Sequence, residues 1–308
     1  MFEGFKAWLN KHKKEREVRK LAKKTSKRYK SRVIGVIRPA KPSSVKPNKP
    51  NKVSTVSSVV NAAVTQPHIR EGSKKAVLIG LNYTGTTAAL KGCINDATRM
   101  KETLEKKYLY QNVTIFTDQN LSEDNNILEI LEKLVTSDEK TLFFQYSGHG
   151  MQIQDNNGDE ADGKDEALYS VCDTIVRDDD INERIRKVKK DVTMIIVVDA
   201  CHSGTVVDLP YQLVGNEVKK VNNTEIVGDI VYISGCKDTQ TSADISSAFT
   251  AYGAMSNALQ KVITELSPST TWRVLIDKLN KELRKERQSQ IPQLCVSKPE
   301  LVDRIVSL

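Results

Sequence analysis

Two short stretches place a histidine and a cysteine in the same kind of setting. One reads Tyr146-Ser147-Gly148-His149-Gly150, the other Asp199-Ala200-Cys201-His202-Ser203-Gly204. Each follows an apolar run, and each is built of small residues. That pattern is a buried strand opening into a tight loop. If the two strands are neighbours, His149 and Cys201 stand side by side at the rim of a sheet. The glycines beside them let a substrate approach the backbone closely. The chemistry of such a pair is acyl transfer. The thiolate attacks, and the imidazole takes the thiol proton and later protonates a departing amine. The backbone N–H groups of Gly150 and Cys201 are placed to hold the oxyanion. A lone Cys near a lone His is usually structural; two matched strand-end loops favour the catalytic reading.

The elements that must position this pair are legible as alternating patterns. Apolar runs at Ala76–Leu81, Val113–Phe116, Thr141–Tyr146, Thr193–Val198, Ile230–Ile233 and Gln293–Val296 predict strands. Helical periodicity covers Ile94–Tyr108, Tyr252–Leu266 and Thr271–Glu286, and Ser122 is expected to cap a helix running through Val135. Alternation of this kind predicts an α/β domain, a mostly parallel central sheet with helices on both faces. Sites in such sheets form beyond the C-terminal ends of the strands, where His149 and Cys201 fall.

Tyr146-Ser-Gly-His149-Gly together with Asp199-Ala-Cys201-His-Ser-Gly resembles the metacaspases, caspase-fold cysteine peptidases. Lys91-Gly-Cys93-Ile-Asn-Asp96-Ala upstream agrees, as do Tyr232-Ile-Ser-Gly-Cys, Gly253-Ala-Met-Ser and Pro292-Gln-Leu downstream. The resemblance spans roughly residues 74–308 and implies a caspase-like three-layer sandwich. It also implies His149 as general base and acid, Cys201 as nucleophile, and His202 as a mere neighbour. The caspase signature Gln-Ala-Cys-x-Gly is absent. The resemblance further implies a monomer.

Charge points to the substrate. Asp199 lies two residues before the nucleophile, and Asp96 follows an early strand. Carboxylates at the mouth of a site pair with Lys or Arg. The bland alternatives are a helix N-terminal charge for Asp96 and a strand-end turn for Asp199. The resemblance implies cleavage after Arg or Lys, with a pocket of Cys93, Asp96, Ser147 and Asp199.

The stretch from Asp155 to Glu166 is dense in hard oxygen donors and suggests calcium. It is not an EF-hand, because Glu160 stands where that loop requires Gly. The resemblance implies a different calcium site, built from Asp165, Asp178, Asp179 and Asp208 on separate loops. The other cysteines, Cys172, Cys236 and Cys295, read as small buried hydrophobes.

The chain of 308 residues is divided in charge. Residues 1–72 hold 19 Lys and Arg against four acidic residues, a net of +15, and the rest carries −7. Residues 1–72 read as a basic tail with a proline-rich linker, and 73–308 as the peptidase domain. That domain divides into about 73–209, a linker at about 210–229, and about 230–308. Lys219 and Lys220 make the linker a candidate self-cleavage loop. The basic helix, with Phe2, Phe5 and Trp8 on one face, suits an anionic membrane or nucleic acid through residues 1–38. A mitochondrial presequence is a further reading. Part of 53–72 is expected to cross the cleft and restrain it. Five scattered cysteines, no secretory signal and no apolar run near 18 residues predict a reducing, cytoplasmic setting. Two rivals are a non-catalytic caspase-like scaffold and an arginine-specific paracaspase-like peptidase. The intact His149 and Cys201 weigh against the first, the acidic loops against the second.

Overall fold

The computed structural model describes residues 72–154, 163–171, 174–201, 203, 206–235, 253–288 and 290–308. The expectations for the basic tail, its linker and the strap across the cleft lie outside the described residues. So do those for Asp155–Asp162, Cys172, His202 and Cys236. Residues Glu71–Leu308 form one compact unit.

Among the described residues, the first strands are β1 (Lys74–Gly80), β2 (Asn112–Thr117) and β3 (Thr141–Ser147). Next come β4 (Gly150–Gln154), β5 (Lys164–Tyr169), β6 (Ile175–Arg177) and β7 (Thr193–Asp199). The last are β8 (Tyr211–Val214), β9 (Glu217–Lys220), β10 (Asp229–Ser234) and β11 (Gln293–Val296). The α-helices are α1 (Cys93–Lys106), α2 (Ile127–Val135), α3 (Asp178–Ile185), α4 (Ala254–Thr264) and α5 (Trp272–Lys285).

The main sheet has the order β2-β1-β3-β7-β10-β11-β8-β9. Its first five strands run parallel, and β11, β8 and β9 continue it antiparallel. Helices cover both faces. Ala97, Met100 and Leu104 of α1 share a core with α4, α5 and the inward residues of the sheet. Helix α2 packs on β1 and β3 with α3 beside it. This is the three-layer α/β sandwich that the alternating pattern predicts.

Strand parity decides which residues reach the site. Phe143 on β3 and Ile195 and Val197 on β7 face the α1, α4 and α5 layer. Side chains alternate with period two, so Ser147 and Asp199 emerge on that same face. They are register partners at the ends of adjacent strands.

Four expectations need correction. The α2 cap is Asn126, whose side chain accepts the Glu129 N–H at 3.0 Å, and not Ser122. The apolar repeat starts at Ile127, so the nearest side chain able to cap is Asn126. The 210–229 linker is not a plain loop: β8 and β9 form a hairpin that adds two strands to the sheet. A second sheet, β4-β5-β6, was not anticipated, and its strand β5 takes in residues 164–166, the end of the acidic stretch. The metal candidates Asp165, Asp178 and Asp179 are not on loops but on β5 and the first turn of α3.

Candidate active site

His149 and Cys201 follow β3 and β7 by two residues each, and these strands are parallel neighbours in register. The Gly148 N–H donates to the Asp199 carbonyl across the gap at 3.4 Å. Beyond it, Gly150 lies so close to Cys201 that a Cβ would sit 2.0 Å from the Cys201 carbonyl oxygen. Only glycine fits, and the two backbones expected to hold an oxyanion are therefore packed together. The thiol-bearing residue is partly exposed, and His149 is partly buried.

The imidazole is held from several directions. Its Nε2 lies 2.7 Å from the Ala88 carbonyl. A carbonyl can only accept, so Nε2 carries the hydrogen and, in the neutral ring, Nδ1 carries none. Burial pulls the His149 pKa below its usual value, and the Ala88 contact opposes this. The His149 N–H donates to the Tyr83 hydroxyl at 3.0 Å, and its carbonyl accepts from the Tyr146 hydroxyl at 2.8 Å. The Tyr83 ring lies 4.6 Å from the imidazole. The loop that carries Cys201 is fixed likewise. Ser203 Oγ donates to the Ala200 carbonyl at 2.9 Å, and the Tyr232 hydroxyl donates to the Ser203 carbonyl.

Beside the pair, the four predicted pocket residues converge. Cys93 opens α1, Asp96 lies in its first turn, and Ser147 and Asp199 end their strands. All four are buried. Asp199 accepts the Ser256 N–H from α4 at 2.9 Å, and the Ser147 and Ser256 hydroxyls lie 3.5 Å apart. Gln145 Nε2 donates to Ser147 Oγ at 3.2 Å. Gly253 has φ 90, and a Cβ there would meet Asp96 Oδ2 at 2.6 Å. Asp96 Oδ2 and Asp199 Oδ1 are buried without a hydrogen-bond partner among the described residues. Burial and then the Asp199 charge push Asp96 up to about 7, with Arg99 opposing. Burial also raises Asp199, while Ser256, Gln290 and the Gly253 backbone pull it back. Two buried carboxylates that cannot both ionise cheaply make a site that wants a cation. The Cys93 thiol is pushed far up by burial and by these two acids. It is no second nucleophile.

Asp165, Asp178 and Asp179 place carboxylate oxygens within 4.8 Å of one another. Asp165 and Asp178 are buried, and Asp179 is exposed. Burial pushes Asp178 up to about 7, with Asp165 and Glu166 adding to it. Its oxygens accept the N–H groups of Glu166 and Asp179, each at 2.8 Å. Arg177 pairs with Asp165. Three hard oxygen donors this close could hold a metal ion. Asp208, expected as a fourth ligand, is not in the group. Its backbone is left-handed, φ 48, and its carbonyl accepts from Asn182 and Asn222. Lys219 and Lys220 lie on β9, paired with Gln212 and Tyr211.

Several positioning groups carried no signal of their own. Ala88 acts through its carbonyl, which any residue has. Tyr83 and Tyr146 read as ordinary core aromatics. Ser256 sits inside the Gly253-Ala-Met-Ser motif, whose chemistry emerges only when α4 docks on Asp199.

A parallel α/β sandwich that brings an imidazole and a thiol together at adjacent strand ends is the architecture of a caspase-fold cysteine peptidase. Residues 74–210 match the family model described as "Metacaspase, peptidase C14 domain". A metacaspase-1 of Meyerozyma guilliermondii is 33% identical over 291 residues, covering 74% of this chain and 70% of that protein. A metacaspase-3 of Trypanosoma brucei brucei is 33% identical over 267 residues, covering 76% and 74%. A metacaspase-1 of Cryptococcus neoformans is 32% identical, and the chain spans 63% of its length. The chain belongs to the metacaspase family. A solved Geobacter sulfurreducens protein, a structural genomics target, matches with a TM-score of 0.56 at 22% identity. That match covers 76% of this chain and 98% of the other, and it speaks to the fold.

Proposed function

We propose that this cysteine peptidase is a calcium-activated endopeptidase that cleaves after Arg or Lys. The observation that carries the specificity is the pair of buried oxygens, Asp96 Oδ2 and Asp199 Oδ1, left without hydrogen-bond partners among the described residues. A guanidinium or ammonium entering there satisfies both and supplies the counter-charge; an acidic side chain is repelled.

In the proposed cycle Cys201 Sγ attacks the scissile carbonyl carbon as its proton passes to His149 Nδ1. The N–H groups of Gly150 and Cys201 stabilise the oxyanion. The C–N bond breaks as His149 protonates the amine, leaving a thioester on Cys201. Water, giving a proton to His149, attacks the thioester and releases the acid and the thiol. Asp165, Asp178 and Asp179 would hold calcium, which neutralises their mutual repulsion when bound. Self-processing at Lys219 or Lys220 would require the β8–β9 hairpin to open. The strands β11, β8 and β9 extend the sheet beyond β10, which supports a monomer.

The test is hydrolysis of fluorogenic Arg, Lys and Asp peptides, with and without millimolar calcium, by wild type and Cys201→Ala. The expected result is calcium-dependent cleavage after Arg or Lys that the variant loses. Cleavage without calcium removes the metal from the proposal and leaves the dyad. No cleavage of any peptide by the folded chain favours a non-catalytic scaffold.

A further inference from the structure

Asp118 follows β2, remote in sequence from both His149 and Cys201. Its carboxylate is wrapped by the start of the loop that leaves β1. Oδ1 accepts the N–H groups of Asn82 and Tyr83 at 2.9 and 3.1 Å. Oδ2 accepts the Thr84 N–H at 3.2 Å and the Thr84 hydroxyl at 3.0 Å. Three consecutive N–H groups converging on one carboxylate form an anion-holding nest. Tyr83 sits within it at φ 49, a left-handed conformation that a bulky residue keeps only when its surroundings impose it.

The same loop touches His149 twice. Tyr83 contributes its ring and the hydroxyl that accepts the His149 N–H. Ala88 contributes the carbonyl on Nε2. Thr86 joins the two arms: its hydroxyl donates to the Tyr83 carbonyl at 2.8 Å and accepts the Ala88 N–H at 3.2 Å. A continuous hydrogen-bonded path thus runs from the Asp118 carboxylate through Tyr83 and Thr86 to the imidazole.

We propose that Asp118, acting through Tyr83 and the Thr86–Ala88 turn, is the positioning residue that fixes the ring orientation and tautomer of His149. It does at a distance what a third carboxylate does by direct contact in other hydrolases. The proposal rests on the assignment of His149 as the base. Asp118→Asn turns an amide donor toward the nest of N–H groups and loosens the loop. Thr86→Val cuts the path at its middle with an isosteric side chain.

The experiment uses the full chain in millimolar calcium, with folding checked by circular dichroism. It measures kcat and KM on an Arg fluorogenic peptide, and the pH dependence of iodoacetamide alkylation at Cys201, localised by mass spectrometry. Alkylation reads thiolate formation without needing a substrate. His149→Ala is the reference. For both variants we expect kcat to fall about 10- to 100-fold at nearly unchanged KM. Alkylation at neutral pH should slow, its profile moving toward that of His149→Ala. Should Asp118→Asn fail to fold, Thr86→Val alone decides. Folded variants with wild-type kcat and alkylation overturn the proposal, as does a fall in kcat with an unshifted profile or a rise in KM alone. If His149→Ala itself matches wild type, the base assignment falls and this inference with it. If His149→Ala is inert while both variants match wild type, only the inference falls.

Discussion

Asp96 and Asp199 share a buried pocket whose charge Arg99 only partly offsets. The consequence has a definite sign. The folded Asp96 holds its proton up to about pH 7, whereas an unfolded carboxylate releases it near pH 4. Between those values the native chain binds more protons than the unfolded one, so stability falls as pH rises and stays low above 7. Asp96→Asn should therefore raise the thermal midpoint at pH 8 by a few degrees. That gain should vanish near pH 4. Scanning calorimetry at both pH values checks this; an equal or opposite shift at pH 8 counts against a strained pair. The same substitution should raise KM for an Arg peptide at pH 8, because the pocket loses its charge. In wild type, KM should rise as pH drops below 7, where the cation must displace a proton. Burial lowers the His149 pKa, so its own titration lies to the acid side of that of Asp96.

At the scale of elements, the proposed self-processing at Lys219 or Lys220 depends on the β8–β9 hairpin. Lys219 and Lys220 are strand-paired, and a peptide bond in a strand must be peeled free before it enters a cleft. Leu213 and Val218 hold the hairpin against the core. Truncating either to Ala should cost about 1 to 2 kcal/mol. The open population, and cleavage after Lys219 or Lys220, should rise about 5- to 30-fold. Gel and mass analysis of incubated protein, with Cys201→Ala as control, reads this directly; no acceleration excludes these lysines as self-processing sites. The hairpin also shows why some elements were legible and others not. Parallel strands announce themselves as apolar runs because both faces are covered. The Gly215-Asn216 turn, with Gly215 at φ 63, was a readable hairpin signal between two short polar strands. Strand β5 gave none: Lys164-Asp165-Glu166 looks like loop, yet Asp165 and Glu166 are buried. Their burial is explained by Arg177, Gln152 and the α3 N-terminus, partners no local pattern reveals. The dyad, by contrast, was readable because each member ends an apolar run.

For the whole molecule, the proposed calcium site would link folding to metal. Burial and the neighbouring acids raise the cost of ionising Asp178, so a cation held there would stabilise the native state by mass action. Calcium at about 100 times its dissociation constant should contribute about 2.7 kcal/mol. The thermal midpoint should rise by several degrees and return with a chelator. Asp178→Asn should raise the midpoint of the metal-free chain at pH 8 and abolish the calcium response. A wild-type midpoint indifferent to calcium would remove the ion from the proposed function. The proposed catalytic pair follows two adjacent strands of the sheet, while the proposed pocket draws on both halves of the chain.

That last division has a consequence for biosynthesis. Asp199 is oriented by Ser256, and Asp96 is crowded by Gly253, both of which are translated some fifty residues or more after Asp199. A chain still on the ribosome has therefore made Cys201 and both pocket carboxylates before the segment that orients one and crowds the other. The carboxylates come first and their support last, so the proposed pocket takes its shape only when synthesis is nearly done.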